Sequence, residues 1–353
     1  MNDTASHRIL FLYSELADYF LACVQALVED EHTSTVRIIH WDVNPEAPFD
    51  LSDHQNLNLI AKGSYKNRPE LIKSVIEFKP TCIVVSGWMD ADYMSVAKKY
   101  QPNIPVVLTL DNWWTGSMKQ WMAAATSAFY LRRHFNKAWV PGEKQVNFAL
   151  KLGFKSEDIA KGFYCADDRK FEAVYQARKK STGFKPTRKL LYVGRYIEVK
   201  GIQELWSAFV QLSPQFPRWE LHCIGTGELW NNREIHPKIF HHGFVQPSQL
   251  HEHLVEADAF VMPSKKEPWG VVLHEMALAG IPIFASKKVG AAESFISTEN
   301  GLVFGPDEVK DCIFYIFSKS SVALKAMAEV SHQKGKQLTS SEWKDELLNL
   351  ISV

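Results

Sequence analysis

Residues 189–212 read KLLYVGRYIEVKGIQELWSAFVQL. Lys189–Val193 is short and nearly all apolar, as strands covered on both faces tend to be. Gly194-Arg195 ends it, a short loop follows, and Lys200-Gly201 opens a helical pattern over Ile202–Leu212. A strand, a loop with one cation and a helix opening on a second cation suit a diphosphate. The helix end offers unbonded N–H groups and partial positive charge. Arg195 can grip phosphate oxygens through two N–H groups, and Lys200 acts as a point charge. Two surface cations beside a strand end would look the same, so this segment leaves both readings open.

The pattern extends in both directions. Further strands are expected at Trp219–Ile224, Ile239–Gly243, Ala259–Met262 and Pro282–Ala285, with helices over Pro247–Glu256 and Gly270–Ala279 between them. An earlier set runs Ile9–Tyr13, Val36–Trp41, Thr81–Ser86, Val106–Leu110 and Lys137–Val140, with helices such as Pro69–Phe78 and Lys144–Leu152. Alternation of this kind predicts parallel sheets with crossover helices. The segment 166–188, charged and carrying Gly183 and Pro186, reads as boundary and linker. The expected fold class is therefore α/β, with two Rossmann-like domains facing across a cleft: 1–166, 167–335, and a C-terminal helix in 336–353 that crosses back to the N-terminal domain. Within that tail Ser340 is the expected cap, and Trp343, Leu347, Leu350 and Ile351 fall at helical spacing. Ligands of such sheets bind at the carboxyl ends of the strands.

Composition narrows the function classes. The chain has 353 residues, 46% hydrophobic and 23% charged, with 40 basic and 40 acidic side chains. Two domains fit that length, and the balanced charge gives no reason to expect nucleic acid. No apolar stretch approaches the ~18 residues of a membrane span. No export signal is read at the N-terminus, where the run Ile9–Tyr13 is closed by Glu15. The five cysteines are dispersed, none as a close metal pair, and read as reduced thiols. A cytoplasmic protein is expected.

The strongest chemical signal is 263–285, PSKKEPWGVVLHEMALAGIPIFA. Glu267 lies in the loop before a helix and Glu275 inside it, where each can accept hydrogen bonds from hydroxyls. Gly270 allows close backbone approach to a ligand. Glu275, flanked by Leu273, Met276, Ala277 and Leu278, reads as a carboxylate in a mostly buried helix, which needs a partner. His241-His242 alternate on a strand, point apart, and read as packing or surface residues. His274 reads as structural. No Asp-x-Asp motif of the kind metal-dependent transferases use is read, so no metal and no cofactor is expected.

From about Arg188 to Pro306 the sequence resembles the nucleotide-sugar-binding domain of glycosyltransferase family 4, of the GT-B fold. The pieces are VGRYIEVKG (193–201), CIGTGEL (223–229), HHGFVQPSQL (241–250) and EADAFVMPSKKEPWGVVLHEMALAGIPIFAS (256–286). A weaker match covers NKAWVPGEKQVNFALKLGFKSEDIAKGFYCADD (136–168). The resemblance implies a retaining, metal-independent hexosyltransferase that uses a nucleotide-diphosphate sugar, UDP- or GDP-linked. Arg195 and Lys200 would hold the diphosphate. Glu275 would bind ribose, and Glu267 the transferred sugar. Trp269, Gly270, Val271 and Val272 would lie along the sugar and phosphates. Gly225 and Gly227 would line the nucleotide loop, and Gly243, Phe244 and Val245 would border the base. Transfer would be front-face, through an oxocarbenium-like state, with the diphosphate accepting the proton. That accounts for the lack of a glycosidase-type carboxylate pair. The implied N-terminal domain binds the acceptor, a glycan or lipid-linked sugar of polysaccharide or lipopolysaccharide biosynthesis. A nucleotide-sugar epimerase of the same fold and a non-catalytic sugar-nucleotide-binding protein are the alternatives.

The N-terminal half departs from the family pattern. Its glycine-rich first loop is replaced by Tyr13-Ser14-Glu15-Leu16-Ala17, with Ser14 at the acceptor edge, and a usual histidine by Asp111-Asn112-Trp113-Trp114. Asp111 is a candidate for orienting the acceptor hydroxyl or donor sugar, or a turn former. Trp88, Trp113 and Trp114 follow predicted strands and are candidates for stacking on sugar rings, whereas Trp41 and Trp139 read as core. The run Lys119 to Lys137 mixes apolar and basic residues. It either covers the sheet or makes peripheral contact with the inner face of a membrane carrying the acceptor.

Overall fold

The computed structural model describes residues 7–29, 33–42, 57–182 and 187–352. Gly183 and Pro186, read above as linker, lie outside the described residues. The chain divides into two compact units, Met1–Cys165 with Ser340–Val353, and Ala166–Thr339.

In the first unit, strands β1 (His7–Tyr13), β2 (Thr33–His40), β3 (Asn58–Ala61), β4 (Cys82–Ser86), β5 (Val106–Thr109), β6 (Lys137–Trp139) and β7 (Ile159–Ala160) alternate with helices α1 (Asp18–Val28), α2 (Arg68–Phe78), α3 (Ala91–Tyr100), α4 (Met118–Thr126) and α5 (Glu143–Lys151). All pairs are parallel, in the order β3-β2-β1-β4-β5-β6-β7. Ile9, Leu10, Phe11 and Leu12 of β1 are wholly buried, as expected of a strand covered on both faces. The order reverses between β1 and β4, which defines a switch point where ligands of such sheets bind.

The second unit repeats the plan. Helix α6 (Asp168–Thr182) leads into β8 (Lys189–Val193), α7 (Ile202–Leu212), β9 (Glu220–Ile224), β10 (Ile239–Gly243), α8 (Leu250–Val255), β11 (Ala259–Met262), α9 (Val272–Leu278), β12 (Ile283–Ser286), α10 (Ala292–Phe295), β13 (Gly301–Phe304), α11 (Val309–Phe317) and α12 (Ser321–Gly335). Its parallel order is β10-β9-β8-β11-β12-β13, with the switch point between β8 and β11. Those two strands register only at Ala259↔Leu190 and Phe260↔Leu191. Both run two residues further, paired on their outer sides to β9 and β12 but not to each other, so the sheet opens between their carboxyl ends. The architecture is the expected α/β pair of parallel sheets.

Three expectations change. Residues 168–182 are helical rather than linker, because Phe171, Val174, Tyr175 and Arg178 form an i, i+3, i+4, i+7 stripe that is buried. Arg178 serves as a core residue by donating from Nη1 to the carbonyls of Leu254 and Ala257, the latter at 2.7 Å, at the end of α8. Burial lowers its pKa to about 10, which leaves it charged at neutral pH. Trp41 is not core: it is 38% exposed and donates to Asp90 Oδ2 at 2.8 Å. The run from Lys119 is a short helix, α4, that buries none of its residues, followed by a 3-10 turn at Leu131–Arg133.

The last helix, α13 (Ser340–Ile351), belongs to the first unit and packs against α1. Its buried apolar side chains are Trp343, Leu347, Leu350 and Ile351. Trp343 stacks on Phe11, packs against Phe20 and Trp139, and donates from Nε1 to the Phe163 carbonyl at 2.6 Å. Replacing it with alanine removes a full aromatic and orphans that carbonyl. Trp343→Ala is expected to destabilise the first unit by about 3–5 kcal/mol, read as a lower denaturant midpoint; an unchanged midpoint would show that the helix contributes nothing to this core.

Candidate active site

The carboxyl ends of β8, β9 and β10 are held together by backbone bonds. Gly194 N–H donates to Ile224 O at 3.0 Å, Tyr196 N–H to Thr226 O at 2.8 Å and Gly225 N–H to Gly243 O at 2.7 Å. At Gly225, φ is +133° and a Cβ would lie 2.0 Å from the Gly194 carbonyl oxygen, so only glycine permits this approach. Gly227 is similarly pressed against Tyr196 O. Gly225, Gly227 and Gly243, the candidates for a nucleotide loop, therefore share one edge, with half-buried Phe244 and Val245 directly after it. Trp230 lies against Gly243, its ring 3.7 Å from where a Cβ would stand.

Across the switch point, the loop before α7 meets the loop after β11. Gly201, at φ +68°, brings its backbone so near Pro263 that a Cβ would stand 2.3 Å from that carbonyl oxygen. Lys265 N–H donates to Val199 O at 2.8 Å. This contact sets Lys200 beside Glu267, and Lys200 Nζ is ion-paired with Glu267 Oε2. Both side chains are largely shielded, at 20% and 13% exposure, so the pair is screened less than a surface pair. Glu267 is fixed by its own backbone: its N–H donates to Lys288 O and its C=O accepts from Gly290 N–H, both at 3.0 Å. The structure thus joins two residues that are 67 positions apart in sequence.

The remaining donor candidates divide. Gly270 has φ +92°, and a Cβ there would touch Glu267 Cγ and Val289 Cγ1 at 3.1 Å. Val271 and Val272, half-buried, lead into α9, whose first-turn amides Leu273, His274 and Glu275 donate to the carbonyls of Gly270 and Val271. Glu275 is half-buried, while Leu273, His274, Met276, Ala277 and Leu278 around it are buried. Trp269 is an inward-facing residue, 3% exposed and edge-on to Phe295, so its indole is part of the core beneath the loop. Arg195 is exposed, and its carbonyl accepts from the Tyr192 hydroxyl at 2.9 Å. His274 is structural: Nδ1 accepts from Ala166 N–H and Nε2 donates to Gly335 O.

Sequence reasoning missed Tyr192. Its hydroxyl packs against Gly194, and its pKa is raised far above the ordinary value, first by burial and then by the neighbouring Cys223 and Glu267. It remains a neutral donor and holds the turn carrying Arg195. A tyrosine inside an apolar strand gives no sign of this from sequence.

In the first unit, Ser14 Oγ and Ser86 Oγ lie 2.9 Å apart across the β1–β4 switch point. Asp111 follows β5. Its carboxylate accepts from Asn112 at 3.1 Å, its carbonyl accepts from Gln145 at 2.9 Å, and its charge acts on the buried hydroxyls of Tyr13 and Tyr164. Trp88 and Trp114 are half-buried against the core, and Trp113 has Lys144 Nζ 5.6 Å from its ring centroid. Ser14, Asp111 and the tryptophans therefore lie along one sheet edge, with the tryptophans partly committed to packing.

Comparisons with known proteins bear on both units. The model of the family described as glycosyl transferases group 1 matches residues 175–316. A glycogen synthase of Mycobacterium tuberculosis is 25% identical over 305 residues, covering 79% of this chain and 70% of its own. A sulfoquinovosyl transferase of Arabidopsis thaliana is 28% identical over 131 residues, 35% of this chain and 25% of its own. Among solved structures, HepE of Anabaena, in complex with UDP and glucose, matches with a TM-score of 0.73 over 98% of this chain and 99% of its own, at 13% identity. WaaG, a glycosyltransferase involved in lipopolysaccharide biosynthesis, matches with 0.66 over 98% and 99%, at 15% identity.

Gly201→Ala is expected to lower the stability of the second unit by about 2–3 kcal/mol through clash and a strained φ; a urea midpoint equal to that of the parent would mean that the contact with Pro263 does not hold the loop. The chain has the two-domain α/β fold of the GT-B glycosyltransferases, and its residues 175–316 match the model of the group 1 glycosyl transferases.

Proposed function

We propose that the protein is a retaining, metal-independent hexosyltransferase of the family 4 type, which takes a sugar from a UDP- or GDP-sugar, with UDP the first choice of carrier. The observation that carries this reading is the Lys200–Glu267 pair at the β8–β11 switch point. It sets a cation and a carboxylate where a sugar diphosphate would present an anion next to hydroxyls. UDP in the structure of HepE supports the choice of base. Arg195 and Lys200 take the diphosphate, Glu267 the sugar hydroxyls and Glu275 the ribose. Gly225, Gly227, Gly243, Phe244 and Val245 border the base.

The chemistry is substitution at the anomeric carbon. The bond from that carbon to the diphosphate oxygen breaks, and its electron pair leaves with the phosphate. The acceptor oxygen bonds to the same face, and its proton passes to the departing phosphate oxygen. Arg195 and Lys200 stabilise the charge that develops there, which is the type of term that dominates many enzymes. Asp111 orients the acceptor hydroxyl from the edge of the first unit, and Ser14, Trp88, Trp113 and Trp114 flank it. Lys200→Ala and Arg195→Ala are each expected to lower turnover by roughly ten- to a thousandfold, measured as acceptor-dependent release of UDP. Asp111→Asn is expected to slow the same release. Release of UDP independent of any acceptor, or full rates in the Lys200 variant, would overturn the reading.

The acceptor is a glycan or a lipid-linked sugar, met on the cytosolic face of a membrane. Support comes from the exposed apolar side chains on and after α4: Met118 (76%), Trp121 (57%), Met122 (59%) and Phe129 (74%). Residues 112–142 contain no Asp or Glu, and Lys119 and Arg133 are exposed bases among them. Apolar anchors beside cations favour an anionic lipid surface. Among the described residues no helix is long and apolar enough to cross a membrane. The protein is expected to float with phosphatidylglycerol vesicles and not with phosphatidylcholine, and a Trp121→Ser, Phe129→Ser double variant to lose this; a parent protein that stays at the bottom of the gradient sinks the membrane proposal.

A further inference from the structure

Three histidines gather beside the nucleotide edge of the second unit. His222 is on β9, His242 at the end of β10 and His253 on α8. His222 Nε2 lies 3.2 Å from Glu220 Oε2, and His222 Nδ1 lies 3.0 Å from His242 Nε2. A carboxylate only accepts, so His222 carries its proton on Nε2 and presents a bare Nδ1. His242 Nε2–H must then be the donor. The rings of His222 and His242 are near parallel at 5.2 Å, Phe240 stacks on the other neighbour position of His222 at 4.8 Å, and His253 lies 4.3 Å from His242.

His242 is also where β10 loses register. His241 pairs with Cys223 and Gly243 with Ile224, so His242 is the extra residue of a bulge. Gly243 then takes φ +73° and accepts the Gly225 N–H bond at 2.7 Å. The imidazole bond and the bond between the two nucleotide loops therefore hang on the same bulge.

We propose that the His222–His242–His253 cluster is a proton-operated latch on the nucleobase end of the donor site, closed when the imidazoles are neutral and released when they are charged. A second proton on His222 would sit on Nδ1 and face His242 Nε2, which can accept it only by moving its own proton to Nδ1; with both rings charged, two N–H groups and two positive charges oppose each other. A proton on His242 would set its charge against His222, His241, His253 and Lys189. The cluster's other charged neighbours are Glu220, Glu252 and Glu256; Glu256 is already paired with Lys189. Burial is the leading cause that lowers the pKa of all three, His242 to about 4, against the acids that raise His222 and His253. The native state then binds fewer protons than the unfolded chain between about pH 6.5 and 4. The latch's contribution is complete above that window and is lost as pH falls through it.

The functional part rests on the reading that Gly243, Phe244 and Val245 border the base, so two readouts are needed. Amide exchange at Gly225, corrected for intrinsic rates, reports the latch without nucleotide, and UDP affinity reports its effect. Between pH 7.5 and 5.5 the parent is expected to lose roughly tenfold in protection and in UDP affinity, about the equivalent of one unit of differential protonation. His242→Gln keeps an N–H donor to His222 but removes the ring whose charge opposes His222 and His253, and its loss of protection over that range is expected to be clearly smaller than the parent's. His253→Gln, which leaves the bulge residue intact, is expected to reduce the loss and serves if the first variant does not fold. Constant protection in the parent, or loss in both variants equal to the parent's, overturns the latch. Failure of the parent to bind UDP at pH 7.5 counts against the donor reading alone, since the exchange result stands without it.

Discussion

Backbone pressed against backbone is the constraint on which the second unit's edge depends. At Gly225 and Gly201 the chain passes so close to the carbonyls of Gly194 and Pro263 that a single methyl would not fit. Each contact joins loops from different strands: β8 to β9 in one case, β8 to β11 in the other. The polar side chains of the edge inherit their positions from these contacts. Lys200 meets Glu267 because Gly201 lies on Pro263, and Glu267 keeps its place because both of its backbone groups are bonded to the loop after β12. The site is a property of the main chain first and of its charged groups second.

That order explains the electrostatics. A largely shielded lysine–glutamate pair is costly to desolvate and is favourable only when geometry is held for it. The lacing supplies that geometry without a ligand. An anionic diphosphate entering the crevice would draw Lys200 away from Glu267 and leave the carboxylate to accept from hydroxyls. A sugar diphosphate offers both partners at once; a free phosphate offers only one. Tyr192 adds a neutral donor that fixes the turn of Arg195 from within the core.

Strand runs that are continuously apolar were legible because burial on both faces leaves no alternation to interrupt them. The unread strands are those without that burial. β3 is a half-exposed edge strand, β7 has two residues, and β13 starts at a glycine and exposes its middle. Helix α6 was hidden because its buried stripe includes Arg178, which a hydropathy reading counts as polar although three carbonyls solvate it. At the site, glycines and charged residues in short-range patterns could be read, since each leaves a local mark. Tyr192, the Ser14–Ser86 contact and the inward turn of Trp269 could not, because they are set by partners far away in sequence. The exposed apolar residues of α4 were visible as residues, but their exposure was not, since the same run would also suit a helix laid over a sheet.

The position of Trp343 bears on how the chain is made. The first unit is split in sequence: its indole keystone leaves the ribosome only after the whole of Ala166–Thr339. The contiguous second unit can complete its core during synthesis, whereas the first must wait with Phe11, Phe20 and Trp139 uncovered. Domains usually mature in order from the amino end; a unit closed by Ser340–Val353 can complete its core only after Ala166–Thr339 has been synthesised.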